Sequence, residues 1–360
     1  MRDCVPWNVF RPHKSFTDAV YLLHKSVFSC GDKRLLVSDI HTGEVLETLT
    51  RDTAYFSQIF CFNATLICAS CNGSIRYFGV NHDVRRMKQD KTVWEHSSGI
   101  KKMLLTSPVQ GYCKQHGLNH HSCWIYTASE DRTIGVWDSV TGDLMNTIEN
   151  HNIRRNSYQS LTQSDQHLIA GTTGGLIMVF SKFDICERED THACSIQGTD
   201  KTYCLQVCLR LPPHTSMSGH APTVLSLQCC GPNYYKTMLF AGDTIGHLTV
   251  WVVPEHGVDY EPNRSSKIHH GAIRCIESTW KHLITASDDG LIILHELTTL
   301  TQIRTIDIAY WTFHKHLITN ENIPRRIKSM HIVEDFESGG SMVIGTSYGE
   351  IMISSIGMYV

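Results

Sequence analysis

One pattern recurs along the chain: a short apolar run, a turn of small and polar residues, and a second apolar run whose side chains alternate. It is clearest from Thr127 to Asp138, TASEDRTIGVWD, followed by the turn-like SVTGD of Ser139 to Asp143. Alternation broken by Gly, Ser and Asp predicts strand, tight turn, strand and hairpin rather than helix. With Trp137 as an anchor, equivalent positions fall at Ser38, Phe78, Phe180, Trp251, His295 and Ser354, at spacings of 40, 59, 43, 71, 44 and 59 residues. Three spacings match the ~40–45 residues of one four-stranded repeat unit, and the other three require loop insertions.

The columns around the anchor agree. Three residues before it stand Leu35, Ile75, Ile134, Ile177, Leu248, Ile292 and Ile351, and one before it Val37, Tyr77, Val136, Val179, Val250, Leu294 and Ile353. Their two-residue separation puts both columns on one face of a strand. Nine before the anchor are the small residues Ser29, Ala69, Ala128, Gly171, Gly242, Ala286 and Gly345, and eleven before it the apolar Val27, Ile67, Tyr126, Ile169, Phe240, Ile284 and Val343. Five before it, Gly recurs at 73, 175, 246, 290 and 349, as a turn with positive φ favours.

A Ser-x-Asp turn leading into an apolar strand that ends in Trp-Asp resembles the signature of the WD-repeat family. The resemblance implies an all-β, seven-bladed β-propeller with four-stranded antiparallel blades, built as one domain over residues 1–360. The expected blades run approximately 17–50, 54–95, 96–149, 155–209, 218–260, 266–307 and 325–360, the last closed by residues 1–10. Cys4 to Phe10 would supply the fourth strand that the seventh blade lacks, removing an open sheet edge. A competing eighth blade is hinted at by His314 to Asn320, HKHLITN, which echoes WKHLITA of the sixth repeat, but Pro324 interrupts it.

In this family a His ahead of the first strand, a Ser or Thr on the second, an Asp in the turn and the Trp form a hydrogen-bonded structural network. His96, Ser129, Asp131 and Trp137 match those roles in the third repeat; His269, Ser287 and Asp289 do so in the sixth, where His295 replaces Trp. The fifth repeat keeps Gly219, His220 and Trp251 but has Ile245 at the Asp position, and the seventh has Tyr348 and Ser354. Those blades are expected to hold by apolar packing alone.

Composition adds exclusions. The 360 residues are 41% hydrophobic and 19% charged, ordinary for a globular chain with a large core. A net charge of −3 supplies no global field for nucleic acid or a membrane surface, and no stretch approaches the ~18–20 apolar residues of a membrane span. Without a signal-like N-terminus the chain is expected to be intracellular, cytoplasmic with the nucleus as alternative, and its 14 cysteines to be reduced thiols.

Candidate chemistry is sparse. His96, Ser129 and Asp131 have the composition of a hydrolase triad, but the family resemblance makes them structural. An insertion from Thr106 to Ser122 and its flank supply Cys113, His116, His120, His121 and Cys123, donors that suit tetrahedral zinc. Their spacing departs from zinc-finger patterns, and with 22 His in the chain a solvated loop without cofactor is the preferred reading. A second insertion, Lys182 to Lys201, holds Cys186, His192 and Cys194, with Cys204 and Cys208 beyond it, and is read likewise. The Cys68 to Cys71 pair lacks the helix start of a redox motif. Basic pairs are scattered, and no Rossmann, P-loop or metalloprotease motif occurs.

The expectation is therefore no enzyme but a protein–protein interaction scaffold or adaptor, a subunit of an assembly whose partners are other proteins. A ubiquitin-ligase substrate receptor is the narrower alternative; Val140 stands where a Trp-Asp-x-Arg docking box needs Arg. A ligand- or metal-binding propeller with activity is the third, against which the first strands KKMLLT, TVLSLQ, AIRCIE and KSMHIV show no repeated ligand. The residues before the turn Asp form a ring of Gly31, Cys71, Glu130, Thr173, Thr244, Asp288 and Ser347, in which Glu130, Asp288, Thr173 and Thr244 are the candidate partner contacts. Two acids in that ring suit a basic or polar peptide.

Overall fold

The structure is a computed structural model that describes residues 8–51, 55–80, 88–106, 123–149, 156–182, 205–212, 221–233, 236–253, 261–309, 325–333 and 340–355. Among these, seven four-stranded antiparallel sheets account for nearly all regular structure. The first four blades are Ala19–Leu23, Ser26–Gly31, Arg34–Asp39 and Val45–Arg51; Phe56–Phe62, Thr65–Ser70, Ser74–Gly79 and Lys88–Trp94; Ile100–Thr106, Trp124–Ser129, Thr133–Asp138 and Leu144–Glu149; and Tyr158–Gln163, His167–Thr172, Leu176–Ser181 and Leu205–Arg210. The fifth is Val224–Asn233, Lys236–Asp243, His247–Val253 and Arg264–Lys267, and the sixth Ile273–Ser278, His282–Ser287, Leu291–Glu296 and Gln302–Asp307. The seventh joins Ile327–Val333, Ser341–Thr346 and Ile351–Ser355 to Asn8–Phe10. First strands of successive blades pack side by side, and the seventh meets the first, so the array is a closed ring.

The core is divided among the blade interfaces, each of which holds its own apolar cluster. Strand alternation explains the division. Ile134 and Val136 face the fourth blade, while Trp137, one position on, faces the second, packed with Ile75 and Tyr77. All seven anchor positions are buried, including Ser38, His295 and Ser354.

The position five before the anchor has positive φ in every blade: the five glycines, Arg132 at 74° and Lys33 at 61°. At Gly246 the restriction is double, because φ is 90° and an added Cβ would lie 2.2 Å from the carbonyl oxygen of His269.

The first blade departs from the expected register. Its turn between Gly31 and Arg34 holds only Asp32 and Lys33, both at positive φ, as in a type I′ hairpin. One residue is therefore missing, and Ser38 pairs with Val27, eleven residues back, whereas Trp137 pairs with Ile125, twelve back. Cys30 and Phe28, rather than Ser29 and Val27, fill the small and apolar columns.

Closure joins the two ends of the chain: Asn8 pairs with Ile353, Val9 with Met352 and Phe10 with Ile351. The Asn8 amide also donates to the carbonyls of Ile40 and His41, at 3.0 and 2.8 Å, tying the strand to the first blade. In the fifth blade the fourth strand, Arg264–Lys267, lies beyond the expected limit at 260, because residues 254–260 intervene before Arg264 pairs with Val250. Residues 107–122, 183–204 and 310–324, which hold most of the insertions and the echo at 314–320, lie outside the described residues. The roots of the first two insertions meet: Lys182 Nζ is 3.4 Å from Thr106 Oγ1 and donates to Gln163 Oε1 and the Ser164 carbonyl at 2.7 Å. No helix among the described residues is long and apolar enough to cross a membrane.

Candidate functional site

In the third blade Trp137 Nε1 donates to Thr127 Oγ1 at 2.8 Å, and Thr127 Oγ1 lies 2.7 Å from His96 Nε2. His96 Nδ1 lies 2.9 Å from Asp131 Oδ2. The indole can only donate and the carboxylate only accept, so the chain of protons has one direction: Thr127 donates to Nε2, and Nδ1–H donates to Asp131. Asp131 also accepts from the Ser97 and Thr133 amides at 3.0 and 2.9 Å and from the Thr133 hydroxyl at 2.6 Å. Burial alone would raise the Asp131 pKa, but hydrogen bonds from His96 and Thr133 outweigh it and hold the carboxyl well below its usual range.

This is the proton order of a hydrolase triad, sealed shut. Thr127 has 0% exposure, and its oxygen is occupied by the indole where a substrate carbonyl would have to stand. The expected hydroxyl, Ser129, sits elsewhere: it accepts from the Asp131 amide at 3.2 Å and donates to the Ser98 carbonyl, capping the turn. The sixth blade repeats the arrangement, with His269 between Thr285 at 2.9 Å and Asp289 at 3.0 Å, and Ser287 as the cap at 3.1 Å. Thr127 and Thr285 are thus corrections to Ser129 and Ser287 as network centres. Each lies two positions before the Ser on the same strand face, so alternation alone does not choose between them, and reach to the His ring does.

The first blade holds a partial third copy, in which His13 Nδ1 has no hydrogen-bond partner among the described residues. His13 Nε2 lies 2.9 Å from Ser29 Oγ, and Asp32 accepts from the backbone of Lys14 and Ser15. Burial lowers the His13 pKa to about 4, against the opposing charge of Asp32. The shortened turn hid it, by moving Ser29 one column from Thr127.

Polar groups also replace the expected purely apolar packing in the fifth and seventh blades. Asp243, 0% exposed, accepts from the Ile245 and His247 amides at 2.9 Å, so the turn carboxylate lies two residues before the position where Ile245 was read as a loss. In the seventh, Thr346 donates to Glu350 at 3.1 Å and Arg325 Nε lies 3.2 Å from the same carboxylate.

A second feature lies at one end of the central channel. Six first strands carry a β-bulge whose extra residue is Ser57, Lys101, Gln159, Leu225, Arg274 or Lys328. Asp18, whose amide donates to the Cys30 carbonyl, stands at the corresponding place in the first blade. All seven side chains line one cavity of about 180 Å³, which Lys102, Glu277 and His331 also line. Two bulge cations reach outward: Lys101 Nζ is 2.8 Å from Glu130, and Arg274 clasps Asp288 through Nη2 at 2.6 Å and Nε at 3.1 Å.

Burial raises the Asp18 pKa to about 6, opposed by Lys328, and raises that of Glu277, opposed by Lys102. Burial and the neighbouring Arg274 lower the Lys328 pKa. His331 is lowered to about 4 by burial and by Lys102, and its Nδ1 accepts from the Leu22 amide at 3.1 Å.

The WD domain, G-beta repeat family model matches residues 106–138, the segment that holds Thr127, Ser129, Asp131 and Trp137. The chain is a WD-repeat β-propeller. Among solved structures it is similar to the crystal structure of Chaetomium thermophilum Raptor, with a TM-score of 0.68 and 11% identity, over 98% of this chain and 29% of that one. That likeness shows the fold alone, and the chain spans less than a third of that protein's length. No curated protein matches the chain.

The ring residues of this propeller are engaged internally. Besides the ion pairs of Glu130 and Asp288, Thr173 Oγ1 accepts from the Ser157 amide at 3.0 Å and Thr244 Oγ1 from the Thr223 amide at 3.2 Å. Of the zinc candidates, Cys113, His116, His120 and His121 lie outside the described residues; Cys123 is half-buried, and burial raises its thiol pKa. Among the described residues no three His, Cys, Asp or Glu side chains are placed to hold a metal ion. Cys68 is buried in a strand, where desolvation pushes its thiol up, while exposed Cys71 accepts from the Tyr55 amide at 3.3 Å. The nine described cysteines are free.

Proposed function

We propose that this propeller is a protein-interaction scaffold, contacting its partners at the end of the ring that carries the turns between second and third strands. One observation carries the reading. The His–Thr–Asp sets, whose composition resembles a hydrolase triad, hold strands together, while Lys101, Arg274 and their acids stand fixed at an accessible rim. A rigid ring with preset polar groups binds at low entropic cost, since little has to be ordered on contact. The WD-repeat fold and its likeness to Raptor support the same class, and the fold by itself names no partner.

The test is affinity purification of the tagged chain, paired with proximity labelling in the same cells. Stoichiometric partners are expected, and Glu130→Gln with Asp288→Asn, which release the rim ion pairs without placing like charges together, should reduce their recovery. A chain that purifies alone at low salt and enriches no neighbour in labelling overturns the scaffold reading.

A further inference from the structure

Two cations in the channel mouth are not locked in an ion pair. Lys101 and Arg274 are satisfied by Glu130 and Asp288 on the rim, but among the described residues Lys102 and Lys328 make no ion pair within 4.0 Å. Both residues are partly buried and face Asp18 and Glu277 without a direct ion pair, so an arriving carboxylate supplies the contact they lack. Resting on the scaffold reading, we propose that the channel mouth takes an acidic side chain of a partner peptide, held by Lys102 and Lys328 between the two rim ion pairs.

Charge, size and opening favour this occupant. The lining carries four cations, Lys101, Lys102, Arg274 and Lys328, against two carboxylates, Asp18 and Glu277. The rim acids already have partners, so the expectation of a basic peptide loses its basis. A cavity of about 180 Å³ is below the ~300–1,000 Å³ of pockets that enclose a free metabolite, yet accommodates a carboxylate side chain projecting from a larger partner. Among the six bulge residues and Asp18, Leu225 is the only apolar side chain, which disfavours a greasy helix.

Asp18 gives the proposal a second readout. It faces Lys328, Lys101 and Asp32, and a carboxylate entering beside it would raise its pKa further. Binding then takes up a proton, so affinity increases as pH falls from 8 toward the Asp18 pKa of about 6.

The probes are short fluorescein-labelled oligoglutamate, oligolysine and oligoserine peptides, followed by fluorescence anisotropy on the full chain. Oligoglutamate alone should bind, more weakly as salt is raised. Lys102→Glu and Lys328→Glu should each weaken it about tenfold or more. Lys102→Arg should retain binding, and Asp18→Asn should abolish the gain between pH 8 and 6. Should either Glu variant lower the melting temperature, Lys102→Met and Lys328→Met replace it, with the same loss expected. Preferential binding of oligolysine, or oligoglutamate binding that is unchanged in the Lys variants, overturns the proposal. If oligoglutamate fails to bind while the tagged chain still recovers stoichiometric partners, the channel assignment falls and the scaffold reading stands; a chain that recovers none loses both.

Discussion

The third and fifth blades each bury a tryptophan at the same position, Trp137 at 1% and Trp251 at 0% exposure, yet treat its N–H differently. Trp137 donates to Thr127, with Gly135 leaving room beside it: a Cβ there would stand 2.6 Å from the indole nitrogen. In the fifth blade Ala241 and Thr249 take the places of Thr127 and Gly135, and the Trp251 nitrogen has no hydrogen-bond partner among the described residues. Shape is kept in both blades and the polar network in one. The tryptophan is first a packing element of the blade interface, and the network is an addition that three blades retain in whole or part.

The strongest test of that ranking removes the rings. Trp137→Ala and Trp251→Ala should each cost about 3–5 kcal/mol in urea unfolding, because both delete a fully buried indole. A much smaller loss at Trp251 would show that the network, rather than the packing, sets the value. Removing only the hydroxyl sharpens the comparison. Thr127→Ala leaves both Trp137 Nε1 and His96 Nε2 without partners and should cost about 2–3 kcal/mol. Thr285→Ala strands only His269 and should cost about 1–2 kcal/mol, since His295 replaces the tryptophan there. Equal losses would mean that the indole bond contributes nothing.

The smallest effects are in pH dependence, and they differ by blade. Asp131 and Asp289 have pKa values held well below the usual range, so their contribution is complete above an unfolded value of ~3.9 and is lost as pH falls below it. His13 is buried neutral with a pKa of about 4, so the first blade loses stability earlier, as pH falls from ~6.5 toward 4. Asp18 acts in the opposite sense: raised to about 6, it costs stability as pH rises from ~3.9 through that value. Melting curves of His13→Gln and Asp131→Asn should flatten different parts of the acid limb, the first above pH 4 and the second below it. Coincident curves would remove the distinction between the blades.

Particular residues show why some of this was legible beforehand. Columns of Leu, Ile and Val at fixed offsets announce strands, since burial between blades requires the same side chain types in every copy. Gly73, Gly175, Gly246, Gly290 and Gly349 mark their turns, because positive φ excludes most other residues. The first blade was misread by one residue, because Asp32 and Lys33 make a two-residue turn where the other blades use longer ones, and His13 and Ser29 then fell out of alignment. The sequence does not separate Ser129 from Thr127, because residues two apart share a strand face and only the distance to His96 shows which hydroxyl joins the network.

The sequence by itself determined the approximate period, six strand triplets at constant offsets from the anchor with a seventh one residue off, and the all-β class, all of which follow from local chain geometry and side-chain alternation. Tertiary structure alone decided the rest. Asn8–Phe10 meets Ile351–Ser355 only because the ring closes, and Lys101, Lys102, Arg274 and Lys328 converge only because bulges in separate blades point at one axis. Hydrophobic periodicity is a property of neighbours along the chain, whereas charge compensation depends on distances between residues up to hundreds of positions apart. Glu130 and Asp288 therefore read as free acids in the sequence and stand as ion-paired ones in the fold.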